Sequence, residues 1–214
     1  MTGSSLLQRI SRKSSNPVRI AERVIQSPDL IEELIEGLNA KKATIKYRCE
    51  KVLRIISERQ PALLYPQFDL LATMLDCENS ILKWGAIMSI ANLARADSKN
   101  KFESIFEKYF SPIPGPVMIT AANIIGGSAR IALAKPDLAE RISEEILKVE
   151  GAKYKTPECR NVAIGHAIGS FDQFFDHVQD KDRIIRFVKK QLQNTRAPVR
   201  KRAEKFLKKR NIPF

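Results

Sequence analysis

Histidine occurs twice, tryptophan once and cysteine three times in this chain, and these scarcities exclude much chemistry at the outset. Cys49, Cys77 and Cys159 share no C-x-x-C spacing, so neither a zinc site nor a disulfide framework follows. Neither His166 nor His177 has a carboxylate or cysteine at ligand spacing, and H-E-x-x-H is missing. A packed or solvated imidazole is expected over a metal or acid–base role. Nucleophile elbows of the G-x-S-x-G type and phosphate loops of the G-x-x-x-x-G-K type are missing as well. No stretch reaches 18 uninterrupted apolar residues, so no membrane span is expected. The expected cofactor set is therefore none, the expected metal none, and the expected compartment the reducing cytoplasm.

Acidic residues are scarce at both ends. Residues 181–214 hold 13 Lys/Arg against 2 Asp/Glu, whereas residues 31–180 are close to neutral, although the whole chain carries +13. A localised basic face attracts phosphates or acidic protein surfaces. It also serves as the polar outer face that ends a stack of repeats. The first acidic residue is Glu22, preceded by Arg9, Arg12, Lys13, Arg19 and several serines. That composition fits an organelle transit peptide, a frayed basic tail or a capping helix.

What the chain does have is repetition. Five stretches carry one pattern: Ile45-Lys46-x-x-Cys49-x-x-Val52-Leu53, Leu82-Lys83-x-x-Ala86-x-x-Ser89-Ile90, Val117-Met118-x-x-Ala121-x-x-Ile124-Ile125, Arg160-Asn161-x-x-Ile164-x-x-Ala167-Ile168 and Val199-Arg200-x-x-Ala203-x-x-Phe206-Leu207. The last column recurs after 37, 35, 43 and 39 residues, room for one helix pair per unit. Cys49 stands where the pattern wants a small apolar residue, and so belongs to the core.

Apolar stripes and helix-start prolines agree with this period. An isolated helix is expected over 17–25. Helix pairs follow over 29–39 and 43–58, 61–76 and 80–96, 99–110 and 116–134, 136–149 and 157–171, and 180–193 and 198–210. Residues 1–16 form a loose segment or a short helix. In the second helices a small residue lets a neighbour approach, and the Leu/Ile column fills the space between units. Gly126-Gly127 interrupts its helix, from which close helix–helix contact or approach of a ligand backbone is expected. Phe171, Phe174 and Phe175 cannot all face one side of a helix; either they cover the edge of the array, or one or two stand exposed as a protein-binding spot.

The segments Leu82-Lys83-x-x-Ala86-x-x-Ser89-Ile90-Ala91-x-Leu93, Pro198-Val199-Arg200-x-x-Ala203 and Ala167-Ile168-Gly169-x-Phe171 resemble the second helices of HEAT repeats. The resemblance covers about residues 29–210. Arg160 in the first apolar column and Met118 in the basic column depart from it. The tetratricopeptide Trp/Leu-Gly/Tyr signature is absent. The resemblance implies an all-α, right-handed α-α superhelix of about five HEAT-like helix pairs with an N-terminal capping helix. Residues 1–28 would be the basic tail and capping helix, and 29–214 the repeat domain.

Function follows less directly. A large ordered surface without a catalytic constellation points to a non-enzymatic scaffold for a protein partner. The alternative is nucleic-acid binding by the basic end, with Arg183, Arg186, Lys189, Lys190, Arg200, Lys201 and Lys205 as candidate ligands for phosphates or an acidic partner. Helical geometry sends Arg200, Lys201, Arg202, Lys205, Lys208, Lys209 and Arg210 of the last helix to solvent. The chain also resembles the HEAT-like DNA glycosylases, basic proteins that use an aspartate and tryptophans on a concave surface. On that resemblance Tyr47, Lys83 and Trp84 are candidate concave-face residues, although no aspartate falls on a matching motif.

Overall fold

The computed structural model describes residues 5–213. Met1–Ser4 and Phe214, the outermost parts of the expected basic tail and repeat domain, lie outside the described residues. Among the described residues every regular element is a helix, and the chain divides into two compact units, Met1–Ser104 and Ile105–Phe214.

The first unit opens with α1 (Leu6–Ser11) and α2 (Pro17–Gln26). Asn16 caps α2 by accepting from the Val18 and Arg19 amides, and Pro17 fills the first turn, where its missing N–H costs nothing. Next come α3 (Leu30–Leu38), α4 (Ala43–Arg59), α5 (Pro61–Leu64), α6 (Phe68–Thr73), α7 (Ser80–Leu93) and α8 (Lys101–Ser104). The basic N-terminal segment is tied down. Leu6 and Ile10 are buried, the Leu7 amide donates to Glu33 (3.0 Å), and Arg48 donates to the carbonyls of Ile10 (2.7 Å) and Arg12 (2.6 Å). Arg48 thereby satisfies carbonyls that α1 leaves open at its C-terminus.

The single helix expected over 61–76 is broken into α5, a 3-10 turn Tyr65–Gln67, α6 and a second 3-10 turn Met74–Asp76. Pro66 explains the first break, because proline inside a helix removes a donor and clashes with the preceding turn. The helix α4 packs against α2, α3 and α7, burying Val52, Leu53 and Ile56. Contact between α4 and α7 is close: a Cβ added to Gly85 would lie 2.2 Å from the Glu50 carboxylate. Burial raises the Glu50 carboxyl above the usual carboxylate range against the opposing pull of Arg54, which donates to it at 3.1 Å. Cys49 is fully buried, and burial, aided by Glu33, pushes its thiol up to about 12, so it is an inert core residue.

The second unit holds α9 (Phe106–Phe110), α10 (Met118–Ala134), α11 (Ala139–Leu147), α12 (Pro157–Phe174), α13 (Lys181–Lys190) and α14 (Ala197–Lys209). The helix expected over 99–110 is therefore interrupted at Ile105, whose backbone leaves the helical region between α8 and α9. The second helices α10, α12 and α14 pack side by side, so the repeat column Ala121, Ile124, Ile125, Ala167, Ile168, Ala203 and Phe206 is buried. Ion pairs join neighbouring first-helix segments, among them Arg141 with Glu107 (3.4 Å) and Arg183 with Glu144 (2.9 Å). Exposed pairs of this kind contribute only ~0–1 kcal/mol each, so the apolar column holds the stack.

The structure narrows two expectations here. Phe171, Phe174 and Phe175 are all buried, because α12 ends at Phe174 and a 3-10 turn over Phe175–His177 swings the third ring inward. There Phe175 meets the Phe206 ring edge-on at 5.2 Å. The helix α10 runs unbroken through Gly126 and Gly127, and a Cβ added to Gly126 would meet nothing within 4 Å. Helix contact therefore does not explain Gly126. Replacing Gly126 with alanine is expected to stabilise the protein by about 0.5–1 kcal/mol through the helix propensity gained, measured by urea denaturation.

Candidate functional site

The seven basic candidates divide by what already neutralises them. On α13, Arg183 pairs with Glu144 and Lys190 with Glu150, both at 2.9 Å. Arg186 and Lys189 carry no ion pair among the described residues. Arg183, Arg186 and Lys190 line an open cleft of about 670 Å³ shared with Glu144, Leu147, Lys148, Glu150 and Phe187. Two glutamates on its walls temper its positive charge.

On α14, Arg200 is turned back on its own connection, donating to the carbonyls of Asn194 (2.7 Å) and Thr195 (3.0 Å). It clamps the turn that launches the helix. Lys201 and Lys205 are exposed and carry no ion pair among the described residues. Arg210, expected in solvent, is instead nearly covered: its side chain is 13% exposed. It donates to Asp172 (2.7 Å) and lies over the rings of Phe206 (3.8 Å) and Phe175 (4.4 Å). Burial would raise the Asp172 carboxyl, but hydrogen bonds from Arg210 and Lys209 outweigh it and hold the group below the usual carboxylate range.

Arg202 is the residue that sequence reasoning assigned only to solvent. Its NH1 donates to the Gly165 carbonyl at 2.7 Å and lies 4.0 Å from where a Gly169 Cβ would stand. Two glycines four residues apart strip one face of α12 of side chains, and the guanidinium rests on the bare backbone. The spacing of Gly165 and Gly169 was the available signal. His166, between them in sequence, is exposed, and its pKa is lowered by partial burial and then by Arg202 and Arg196. The positive character of this face is thus felt by a neighbouring group.

In the first unit Tyr47 and Trp84 are half-buried on the neighbouring second helices α4 and α7, with Lys83 beside Trp84. Asn79, the cap of α7, donates to the Tyr47 hydroxyl at 3.1 Å. The buried aspartate of this unit, Asp97, is occupied as a cap: it accepts from the Tyr65 hydroxyl and from the Lys101 and Phe102 amides. Its oxygens hold structure together rather than point into a cleft.

Large apolar side chains also stand in water. Ile81 at the start of α7 is 41% exposed, and Val117, Ile119 and Leu133 in and beside α10 are each nearly half exposed. Along α10, Ile119 and Leu133 share one helix face with Asn123, Gly126 and Arg130. Among the described residues no group of three His, Cys, Asp or Glu side chains is placed to hold a metal ion. Among the described residues no helix is long and apolar enough to cross a membrane.

No protein-family model matches the chain, and no curated protein sequence does. Solved structures do. A designed armadillo repeat protein in complex with the peptide (KR)4 superposes with a TM-score of 0.56 at 14% identity, over 95% of this chain and 97% of that one. A second designed armadillo repeat protein gives 0.53 at 14% identity over the same shares. A structure of the Pds5-Scc1 complex gives 0.56 at 14% identity, over 94% of this chain and 31% of that one. At such identities the likeness speaks for the fold: this chain has an all-α helical-repeat fold of the HEAT/armadillo type.

Proposed function

We propose that this protein is a non-enzymatic scaffold that binds a protein partner across the exposed faces of its second helices. The observation that carries this reading is the row on α10, where Ile119 and Leu133 are each 48% exposed around the bare backbone of Gly126. Exposed apolar side chains on either side of an exposed glycine suit a peptide-like partner better than bulk water. That the structurally similar designed armadillo protein is held in complex with a peptide supports the same class of partner. The carboxylates of Asp97, Glu50 and Asp172 are each engaged in hydrogen bonds within the fold, which agrees with a structural rather than a catalytic role for these three.

The test is selection from a random peptide library on the immobilised protein. Enriched peptides are expected to lose at least about tenfold in affinity to Ile119→Glu, with the melting temperature unchanged. No enrichment, or equal binding to the variant, would overturn the reading. Nucleic-acid binding by the basic helices remains the second reading, favoured by Arg186, Lys189, Lys201 and Lys205, which carry no ion pair among the described residues. Duplex DNA titrated at several salt concentrations tests it, because phosphate contacts impose a steep loss with salt.

A further inference from the structure

The cleft between α11 and α13 differs from the other basic surfaces of its unit in what lines it. Its volume of about 670 Å³ lies within the roughly 300–1,000 Å³ usual for small-molecule sites. Leu147 and Phe187 bring apolar surface to it, beside its charged side chains. A hollow of similar volume on α14, about 660 Å³, is lined by Lys201, Glu204, Lys205, Lys208 and Lys209 and by no apolar residue. Only the cleft combines charge with apolar contact.

Charge in the cleft is matched except at one point. Glu144 holds Arg183 and Glu150 holds Lys190, each at 2.9 Å and each across the cleft from one wall to the other. Lys148 is held by Glu145, three residues before it. On α13, Arg183, Arg186 and Lys190 follow the i, i+3, i+7 spacing of a single helix face. Arg186 therefore stands between the two crossing pairs, which lie about 10 Å apart along the helix axis. Of the four cations that line the cleft, it is the one without an ion pair among the described residues. Lys189 of the same helix also carries none, but it does not line the cleft.

The site thus offers a single unmatched positive charge next to apolar surface. A guanidinium presents paired N–H donors that match the two oxygens of a carboxylate. We infer that this cleft binds a small monocarboxylate with a compact apolar body, its carboxylate on Arg186 and its body against Leu147 and Phe187. One negative charge suits the one unpaired cation. A dianion such as a phosphate monoester would have to draw Arg183 or Lys190 away from its glutamate. A nucleic-acid strand would bring further phosphates against Glu144 and Glu150, where like charges repel. None of these residues belongs to the row on α10, so the inference goes beyond the scaffold reading and stands or falls separately from it.

The experiment titrates the full, isotopically labelled chain with phenylacetate and follows the backbone amides by NMR. Acetate, which lacks the apolar body, benzyl alcohol, which lacks the charge, and phenyl phosphate, which carries surplus charge, are the comparisons. Phenylacetate is expected to bind at least about threefold more tightly than each of them, with shifts centred on α11 and α13. Arg186→Gln is expected to weaken it by about tenfold with the melting temperature unchanged, whereas Lys189→Gln leaves it within about twofold. Shifts that do not saturate, equal binding of acetate, tighter binding of phenyl phosphate, or an equal loss in Lys189→Gln would overturn the proposal.

Discussion

Replacing Asp97 with alanine is expected to destabilise the protein by about 2–4 kcal/mol, one of its largest single-residue effects. The side chain is 6% exposed for the residue as a whole and serves three donors at once. Oδ1 accepts from the Tyr65 hydroxyl at 2.6 Å and the Lys101 amide at 2.8 Å, and Oδ2 accepts from the Phe102 amide at 3.0 Å. Alanine strands all three donors and uncaps α8. Asparagine keeps one acceptor oxygen and should cost about half as much. Urea denaturation followed by the fluorescence of Trp84, in the same compact unit, measures both. A second signal comes from Tyr65, whose phenol is pushed up by burial and by its hydrogen bond to Asp97. In the alanine variant it should ionise at lower pH, visible as phenolate absorbance. A wild-type denaturation curve for Asp97→Ala would show that the cap contributes nothing.

The second large effect is expected at Gly115. Its φ of +124° lies where side-chain-bearing residues are strained, and an added Cβ would stand 2.5 Å from the Lys153 carbonyl oxygen. That oxygen belongs to backbone held in place: the Lys153 amide donates to the Pro114 carbonyl at 2.8 Å, and the Tyr154 hydroxyl donates to the Ile113 carbonyl. The connection before α10 is thereby pinned to the one before α12. Gly115→Ala must strain one backbone and push away another, at about 2–4 kcal/mol, lowering the melting temperature by roughly 10 °C or more. Gly151→Ala is the control, because an added Cβ there meets nothing within 4 Å. Equal melting of the two variants would mean that the connection yields without cost.

Much of the architecture was legible locally. The small-residue and Leu/Ile columns were buried as the pattern required, and the second helices ran within a few residues of their expected limits. The first helices were less legible. Pro66 was visible in the sequence, but the apolar stripe around it outweighed its effect in the reading, and nothing local announced the break at Ile105. The candidate site was the least legible part. Of seven basic residues with the same appearance in sequence, Arg183, Lys190 and Arg200 are engaged within the molecule, while Lys201 and Lys205 reach solvent.

Sequence alone determined the helical period, the identity of the core columns and the concentration of positive charge in the last helix pair. Each is a property of residues within a few turns of one another, where side-chain direction follows from 3.6 residues per turn. Tertiary structure decided which charges are matched. The partners of Arg202, Arg210 and Arg183 lie 37, 38 and 39 residues away, one repeat back. Whether a cation meets a carboxylate, a carbonyl or water at that distance depends on the register in which helices stack. That register follows the packing of the buried apolar columns, Phe175 against Phe206 among them.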